Sequence, residues 1–144
     1  MEYQQELVWK FKQHGYKMTP QRRAIIEIIA DCTIHPTAEQ IYEKVLQRMP
    51  DISLATVYNT LRELVSIDQV YELNLGHGVR RYELSRFEHA HLVCLRCGKI
   101  VDTPGDFGRL ISLFQDLDGF RPVRHEVTIL GFCSACSARS QDGQ

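Results

Sequence analysis

Cys94-Leu95-Arg96-Cys97 and Cys133-Ser134-Ala135-Cys136 are two cysteine pairs of one spacing, and they constrain this chain more than any other feature. A turn carrying Cys-x-x-Cys presents two sulfurs to one point. Two such turns complete the tetrahedral thiolate set that zinc takes, with bonds of about 2.3 Å. With every position filled by sulfur, such a site is closed and therefore structural. The stretch from Cys97 to Cys133 is longer than in the shortest zinc ribbons, so the metal would tie the beginning of a small domain to its end. A redox Cys-x-x-Cys would need a strand-to-helix setting of thioredoxin type, which is expected for neither pair. Paired cysteines in a reducing compartment signal metal more often than disulfide. The fifth, Cys32, is expected to be a buried free thiol.

The first half reads as helices followed by a hairpin. Residues 2–14 carry Leu7, Val8 and Phe11 at helical spacing, and Gly15 is a natural stop. Thr19-Pro20 predicts an N-cap with proline in the first turn of a helix containing Ile25, Ile26, Ile28 and Ile29. After the His35-Pro36 break, Thr37 and Gln40 form a capping box for a helix with Ile41, Tyr42, Val45 and Leu46 on its inner side. Ser53 caps a fourth helix whose apolar positions are Leu54, Val57, Leu61, Leu64 and Val65. Its polar face is expected to present Thr56, Asn59, Thr60, Arg62 and Glu63. Residues 70–73 and 79–84 read as strands joined by the glycine-rich tip Asn74-Leu75-Gly76-His77-Gly78. Helices ending in one with a polar face, then a two-stranded wing, make a winged helix-turn-helix, whose last helix enters the major groove. A small helical domain that binds protein would share the pattern.

The second half changes character. Residues 91–95 and 99–102 read as strands around the first cysteine turn. Phe107, Leu110, Ile111, Phe114 and Leu117 predict an amphipathic helix ended by Gly119, and residues 123–130 another strand. The expected fold is α+β: a winged-helix domain over residues 1–84, a hinge at 85–88, a small α/β dimerisation and zinc domain at 89–136, and a polar, frayed tail at 137–144. A domain this small gains from sharing a sheet edge with a second copy, which predicts a homodimer. The formal net charge of −1 does not announce a nucleic-acid binder, yet from Leu7 to Ile26 the only charged residues are Lys10, Lys12, Lys17, Arg22 and Arg23, all basic. That stripe suits either phosphates or plain solvent. No run approaches the roughly 20 apolar residues of a membrane span, and the first residues lack a secretory layout. A cytoplasmic protein without membrane partners is the expectation.

A second set of candidate ligands contains no sulfur. His35, Glu83, His89, His91 and Asp102 offer imidazoles and carboxylates, and His89 and His91 point the same way on a regular strand. Such donors suit iron(II), manganese(II) or zinc(II). Singly, each has an ordinary alternative: a solvated histidine, or Glu83 paired with Arg80 or Arg81. The same donors would serve a metal-dependent hydrolase, although no hydrolase motif is visible, and the cysteine pairs alone would serve a zinc-ribbon adaptor that binds proteins.

Several motifs in fixed order extend the reading. Thr19-Pro20-Gln21-Arg22, His35-Pro36-Thr37-Ala38, Ala55-Thr56-Val57-Tyr58-Asn59-Thr60-Leu61, Cys94-x-x-Cys97-Gly98-Lys99-Ile100 and Gly131-Phe132-Cys133-x-x-Cys136 resemble the ferric uptake regulator (Fur) family, over roughly residues 5 to 137. The resemblance implies a homodimeric winged-helix repressor of double-stranded operator DNA, with no small-molecule substrate and no enzymatic turnover. It implies structural Zn2+ on Cys94, Cys97, Cys133 and Cys136. It further implies a regulatory Fe2+ or Mn2+, or Zn2+, on His35, Glu83, His89, His91 and Asp102. By the same matching, Lys17 reaches the minor groove, Tyr58 and Asn59 face the bases, and Arg22 and Thr56 join the DNA-binding set. Asp102 is similar to peroxide-responsive members, in which a ligand histidine such as His35 or His89 is oxidised, whereas Glu83 leans toward iron sensors. Some members carry a third metal site near Glu88 and His125. Ala90 replaces one of its donors here, which argues against that site.

Overall fold

The computed structural model describes residues 2–76, 78–85 and 88–141, with side chains through residue 139. Two compact units emerge, Met1–Asn74 with Gly78–Ser85, and Leu75–His77 with Arg86–Gln144. His77 of the expected wing tip, Arg86 and Phe87 of the expected hinge, and residues 142–144 of the tail lie outside the described residues.

In the first unit, α1 (Glu2–Gln13), α2 (Pro20–Asp31), α3 (Ala38–Leu46) and α4 (Leu54–Ser66) precede the antiparallel hairpin of β1 (Val70–Asn74) and β2 (Arg80–Leu84). Local chemistry sets the helix starts. The Thr19 hydroxyl accepts from the Arg22 amide with Pro20 following, and Thr37 and Gln40 exchange both bonds of a capping box. Ser53 accepts from the Thr56 amide. Each cap satisfies amides that the first helical turn leaves without an intrahelical partner. The core is contiguous: Leu7 and Phe11 of α1, Ile25, Ile26 and Ile29 of α2, Ile41 and Val45 of α3, and Val57, Leu61 and Leu64 of α4 are buried together with Val70 and Tyr82 of the hairpin. Thr60 departs from the expected polar face. It is buried, and its hydroxyl donates to the Thr56 carbonyl at 2.8 Å, so the bond made within its own helix removes the penalty of placing a hydroxyl against the core.

In the second unit, β3 (His89–Cys94) is the middle strand of a sheet ordered β4-β3-β5, with β4 (Ile100–Pro104) antiparallel and β5 (Val127–Gly131) parallel to it. Helix α5 (Ser134–Gln141) closes the described chain, so the expected frayed tail is helical at least as far as Gln141. The amphipathic helix expected over residues 107–117 is absent. Only the 3-10 turn Ile111–Leu113 forms there. Phe107, Leu110, Ile111 and Leu117 are half-buried, while Leu113 and Phe114 stand 73% and 65% exposed. A short helix is held by burial of its apolar face. That face is not covered here, and Gly108 adds the conformational cost of a glycine inside the run. The last strand also starts later than its apolar pattern suggested, at Val127. No helix among the described residues is long and apolar enough to cross a membrane.

Leu61 is fully buried in α4, so Leu61→Ala is expected to destabilise the first unit by about 2–5 kcal/mol through lost contact and a residual cavity. Urea unfolding followed by helical circular dichroism measures it. A loss below 1 kcal/mol, on the order of a surface substitution, would show that α4 is not part of the core.

Candidate metal centres and nucleic-acid interface

The sulfur cluster is assembled by strand register. Parallel pairing sets Cys94, the last residue of β3, opposite Gly131, the last of β5. The chain then needs only Phe132 to reach Cys133, and Cys136 follows in the first turn of α5. On the other side Gly98, with φ of +74°, lets its amide return to the Cys94 carbonyl at 2.9 Å, which folds Cys97 back beside Cys94. The four sulfurs lie within 4.8 Å of one another. Cys97 Sγ and Cys133 Sγ are 3.7 Å apart, and a tetrahedron with bonds of about 2.3 Å has edges of about 3.8 Å.

The electrostatics of the cluster suit a cation. The amide of Cys97, seconded by that of Cys133, pulls the Cys94 thiol down to about 5, and the Cys133 amide stands 3.3 Å from the Cys94 sulfur. The Cys133 thiol is lowered as well, first by the amide of Cys136. Cys136, hydrogen-bonded to the Cys133 sulfur and desolvated, is pushed up to about 12. Four thiols crowded together cannot all ionise without a counter-charge, so the negative charge collects where amides point and the proton stays on Cys136. A divalent ion supplies that counter-charge.

The nitrogen and oxygen ligands occur as two groups, one in each unit. In the first, His35 Nε2 lies 3.1 Å from Glu83 Oε2, their side chains 9% and 12% exposed. Arg81 Nη1 donates to the His35 carbonyl at 2.8 Å, and the Tyr82 amide donates to the Pro36 carbonyl at 2.9 Å. The helix-breaking His35-Pro36 turn is thereby fastened to β2, and the expected pairing of Glu83 with Arg80 or Arg81 gives way to His35. Arg80 pairs instead with Glu72. In the second unit, His89 and His91 leave one face of β3, their Nε2 atoms 3.1 Å apart. Asp102, opposite His91 in the β3–β4 register, places carboxylate oxygens 3.9 Å from each. Two nitrogens bound side by side on one ion at about 2.1 Å stand about 3 Å apart, so this pair fits a shared metal. Glu88 Oε2 accepts from the Phe107 amide at 3.2 Å and Glu88 Oε1 lies 3.7 Å from His125 Nε2. Ala90 is buried, and its methyl side chain offers no ligand atom.

The candidate nucleic-acid face belongs to the first unit. Asn59 and Lys17 are exposed and Thr56 half-buried, the Thr56 hydroxyl sharing a 2.8 Å bond with Ser53. Tyr58 is 36% exposed, and its hydroxyl donates to Glu39 Oε1 at 2.6 Å. That bond holds the Glu39 carboxyl below its ordinary range and raises the phenol. Arg22 is half-buried, with both guanidinium ends engaged inside the unit. Glu39 and Glu63, the carboxylates that meet Tyr58 and Arg22, carried no signal in the sequence beyond their places on α3 and α4.

Comparison with known proteins agrees with this architecture. Residues 13–130 match the model of the ferric uptake regulator family. The peroxide-responsive repressor PerR of Staphylococcus aureus (strain USA300) is 35% identical over 133 residues, covering 92% of this chain and 90% of that protein. The ferric uptake regulator of Vibrio cholerae is similar in structure, with a TM-score of 0.69 at 29% identity over 85% of this chain and 95% of that one. The Helicobacter pylori ferric uptake regulator, at 23% identity and a TM-score of 0.75 over 92% and 90% of the two chains, shares the fold. With the family model matched over residues 13–130 and a relative 35% identical over 92% of its length, the chain belongs to the ferric uptake regulator family of metal-responsive transcription regulators.

Proposed function

We propose that this chain is a homodimeric, cytoplasmic repressor whose grip on double-stranded operator DNA depends on a bound divalent ion, Fe2+ or Mn2+, with Zn2+ as the alternative. The observation that carries the reading is the sulfur-free donor set, in which His35, Glu83, His89 and His91 have low exposure while Asp102 is 41% exposed. His35 and Glu83 are nearly buried together in one unit, and His89 and His91 converge near Asp102 in the other. An ion bound there supplies positive charge that neutralises the carboxylates and draws nitrogen and oxygen donors toward one point.

In this reading His35 and Glu83 form one jaw and His89, His91 and Asp102 the other. Closing them fixes the angle between the winged-helix domain (residues 1–84) and the dimerisation domain (residues 89–136), with the connecting hinge at 85–88. Two recognition helices of a dimer must reach successive major grooves, about 34–36 Å apart, so a fixed angle selects the DNA-competent arrangement from the ensemble. Lys17 then meets the minor groove, while Thr56, Tyr58 and Asn59 face base edges. Dimer formation is supported by the second unit, whose edge strands β4 and β5 are open and whose Val101, Ile129, Leu130 and Phe132 are 42–60% exposed. The peroxide-responsive branch is favoured by the 35% identity to a peroxide-responsive repressor together with aspartate at position 102.

Titrating an operator duplex recovered from random sequence, with Fe2+ or Mn2+ and then with chelator, is expected to weaken binding roughly 5–150-fold on metal removal. His35→Ala should abolish that metal dependence and leave the zinc content unchanged. Metal-independent binding, or hydrolysis without DNA binding, would sink the repressor reading.

Cys94→Ser should lose zinc and unfold the second unit. Because Cys136 must give up a proton held to about pH 12, zinc uptake should release protons and strengthen as pH rises. Affinity independent of pH between 6 and 8, about two orders of magnitude in proton activity across the range where such linkage acts, would contradict thiolate ligation by this set.

Iron-loaded protein treated with peroxide should gain oxygen on His35 or His89 by mass spectrometry. Unchanged masses, with iron-dependent operator binding retained, would leave an iron sensor without a peroxide response.

A further inference from the structure

Arg22 stands in the basic stripe and was expected on DNA, but its geometry turns it inward. Nη1 donates to the Lys17 carbonyl at 2.6 Å and Nη2 to Glu63 Oε1 at 2.7 Å, with the Arg22 and Glu63 side chains each 23% exposed. The guanidinium also lies over the Phe11 ring, 5.4 Å from its centroid. Phe11 in turn stacks on Tyr16 at 4.8 Å, and the Tyr16 hydroxyl shares a 3.1 Å hydrogen bond with Ser66. The segment between α1 and α2 is therefore pinned to α4 at two points, through Arg22 to Glu63 and through Tyr16 to Ser66. Glu63 and Ser66 lie three residues apart on one helix face, and Glu63 is one turn beyond Asn59.

We propose that Arg22 is a positioning residue for DNA binding: its planar fork ties the backbone of Lys17 to Glu63 and so sets the spacing between the exposed Lys17 side chain and the reading face of α4. The inference rests on the DNA-binding reading above and refines it.

Two physical points favour the tie over a direct phosphate contact. A guanidinium offers five donors in a rigid plane, which suits bridging two acceptors at a fixed separation. Turning the fork outward would strand the Glu63 carboxylate, 23% exposed, on the face proposed to meet a polyanion, where an unpaired negative charge repels phosphate. With the fork inward, Glu63 is neutralised. The Lys17 ammonium is left to solvent and to DNA while its own carbonyl is held. Fixing the backbone at residue 17 lowers the entropy lost when a long basic side chain is placed in a groove.

The tie makes an unusual prediction for Glu63. Removing a carboxylate near a DNA-binding face ordinarily tightens binding by relieving repulsion. Here Glu63→Ala should weaken it, because the tether loses its far end. The test uses the full-length, metal-loaded protein and an operator duplex selected from random sequence, with affinity read by fluorescence anisotropy over a salt series. The slope of log K against log salt counts neutralised phosphates, at about 0.9 per contact. Lys17→Ala should weaken binding several-fold and flatten that slope by about one per subunit. Glu63→Ala should do the same, and the double variant should be no worse than Lys17→Ala alone. Arg22→Lys, which keeps the charge but reaches only one of the two acceptors, should match Glu63→Ala while metal affinity stays at its starting value.

Unchanged or tighter binding by Glu63→Ala, additive losses in the double variant, or a full salt slope retained by Arg22→Lys would each overturn the tether and return Arg22 to a direct contact. A Lys17→Ala variant indistinguishable from the parent in both affinity and slope would fail earlier, in the reading of Lys17 as a DNA contact.

Discussion

Four sulfurs within 4.8 Å of one another join the end of β3 to the start of α5, and the second unit depends on that junction because its apolar residues do not close on themselves. Ala90, Val93, Cys94 and Cys136 are buried, but Leu113, Phe114, Phe120, Val123, Leu130 and Phe132 are more than half exposed. A three-stranded sheet with little covered surface gives small hydrophobic return for the backbone entropy it spends. A metal held by thiolates contributes folding free energy directly, and the register Cys94↔Gly131 is what brings the two turns within its reach. The strand that carries Cys94 also carries His89 and His91. Order imposed at the sulfur end of β3 is therefore order imposed on two of the five proposed regulatory donors.

The first unit solves the opposite problem. Its helices close a continuous apolar core, so rigidity is plentiful and the functional question is which polar groups that rigid body presents. The answer is a division by partner. Glu83 is kept for His35, with Arg81 holding the histidine carbonyl from behind. Glu63 is kept for Arg22 and Glu39 for Tyr58. Glu63 and Glu39, the carboxylates beside the candidate nucleic-acid face, are thus each hydrogen-bonded to a neighbouring side chain, in a chain whose formal net charge is −1. What matters to phosphate is the local field, and the Glu63 carboxylate, paired with the Arg22 guanidinium at 2.7 Å, presents less of it than a free one.

What the sequence made legible follows the range of the interaction. Caps at Thr19, Thr37 and Ser53 act over three residues and were readable from spacing alone. So were the cysteine turns, from their Cys-x-x-Cys spacing, and the common direction of His89 and His91, which strand geometry fixes. The helix expected over residues 107–117 was not, because periodicity reports an apolar stripe and is silent on whether anything covers it. Thr60 was misread for a related reason: its hydroxyl is satisfied by a carbonyl one turn back, and a polar letter in a sequence does not reveal that. The partners of Arg22 and His35 lie 41 and 48 residues away, and which basic residue faces which carboxylate at that range is a tertiary fact. Family motifs narrowed the candidates to named positions, but motif matching assigns roles by position and could not show Arg22 turned toward its own helix bundle.

The two proposed devices, an ion that fixes the domain angle and an arginine that fixes the Lys17 segment, act on different distances. The first sets the spacing between two reading heads, and the second sets the spacing within one. Because binding energies are coupled reciprocally, DNA that demands the closed angle must raise the affinity of His35, Glu83, His89, His91 and Asp102 for their ion. No such linkage connects the metal to the Arg22 tether, whose partners Lys17, Phe11 and Glu63 all belong to the winged-helix body. A weakened tether should therefore lower operator affinity equally with and without the regulatory ion and leave the coupling ratio unchanged, whereas loss of a regulatory ligand should collapse that ratio. On these proposals affinity and coupling are separable properties, because Lys17, Phe11, Arg22 and Glu63 all lie within the first unit, whereas the ion is proposed to act on the angle between domains.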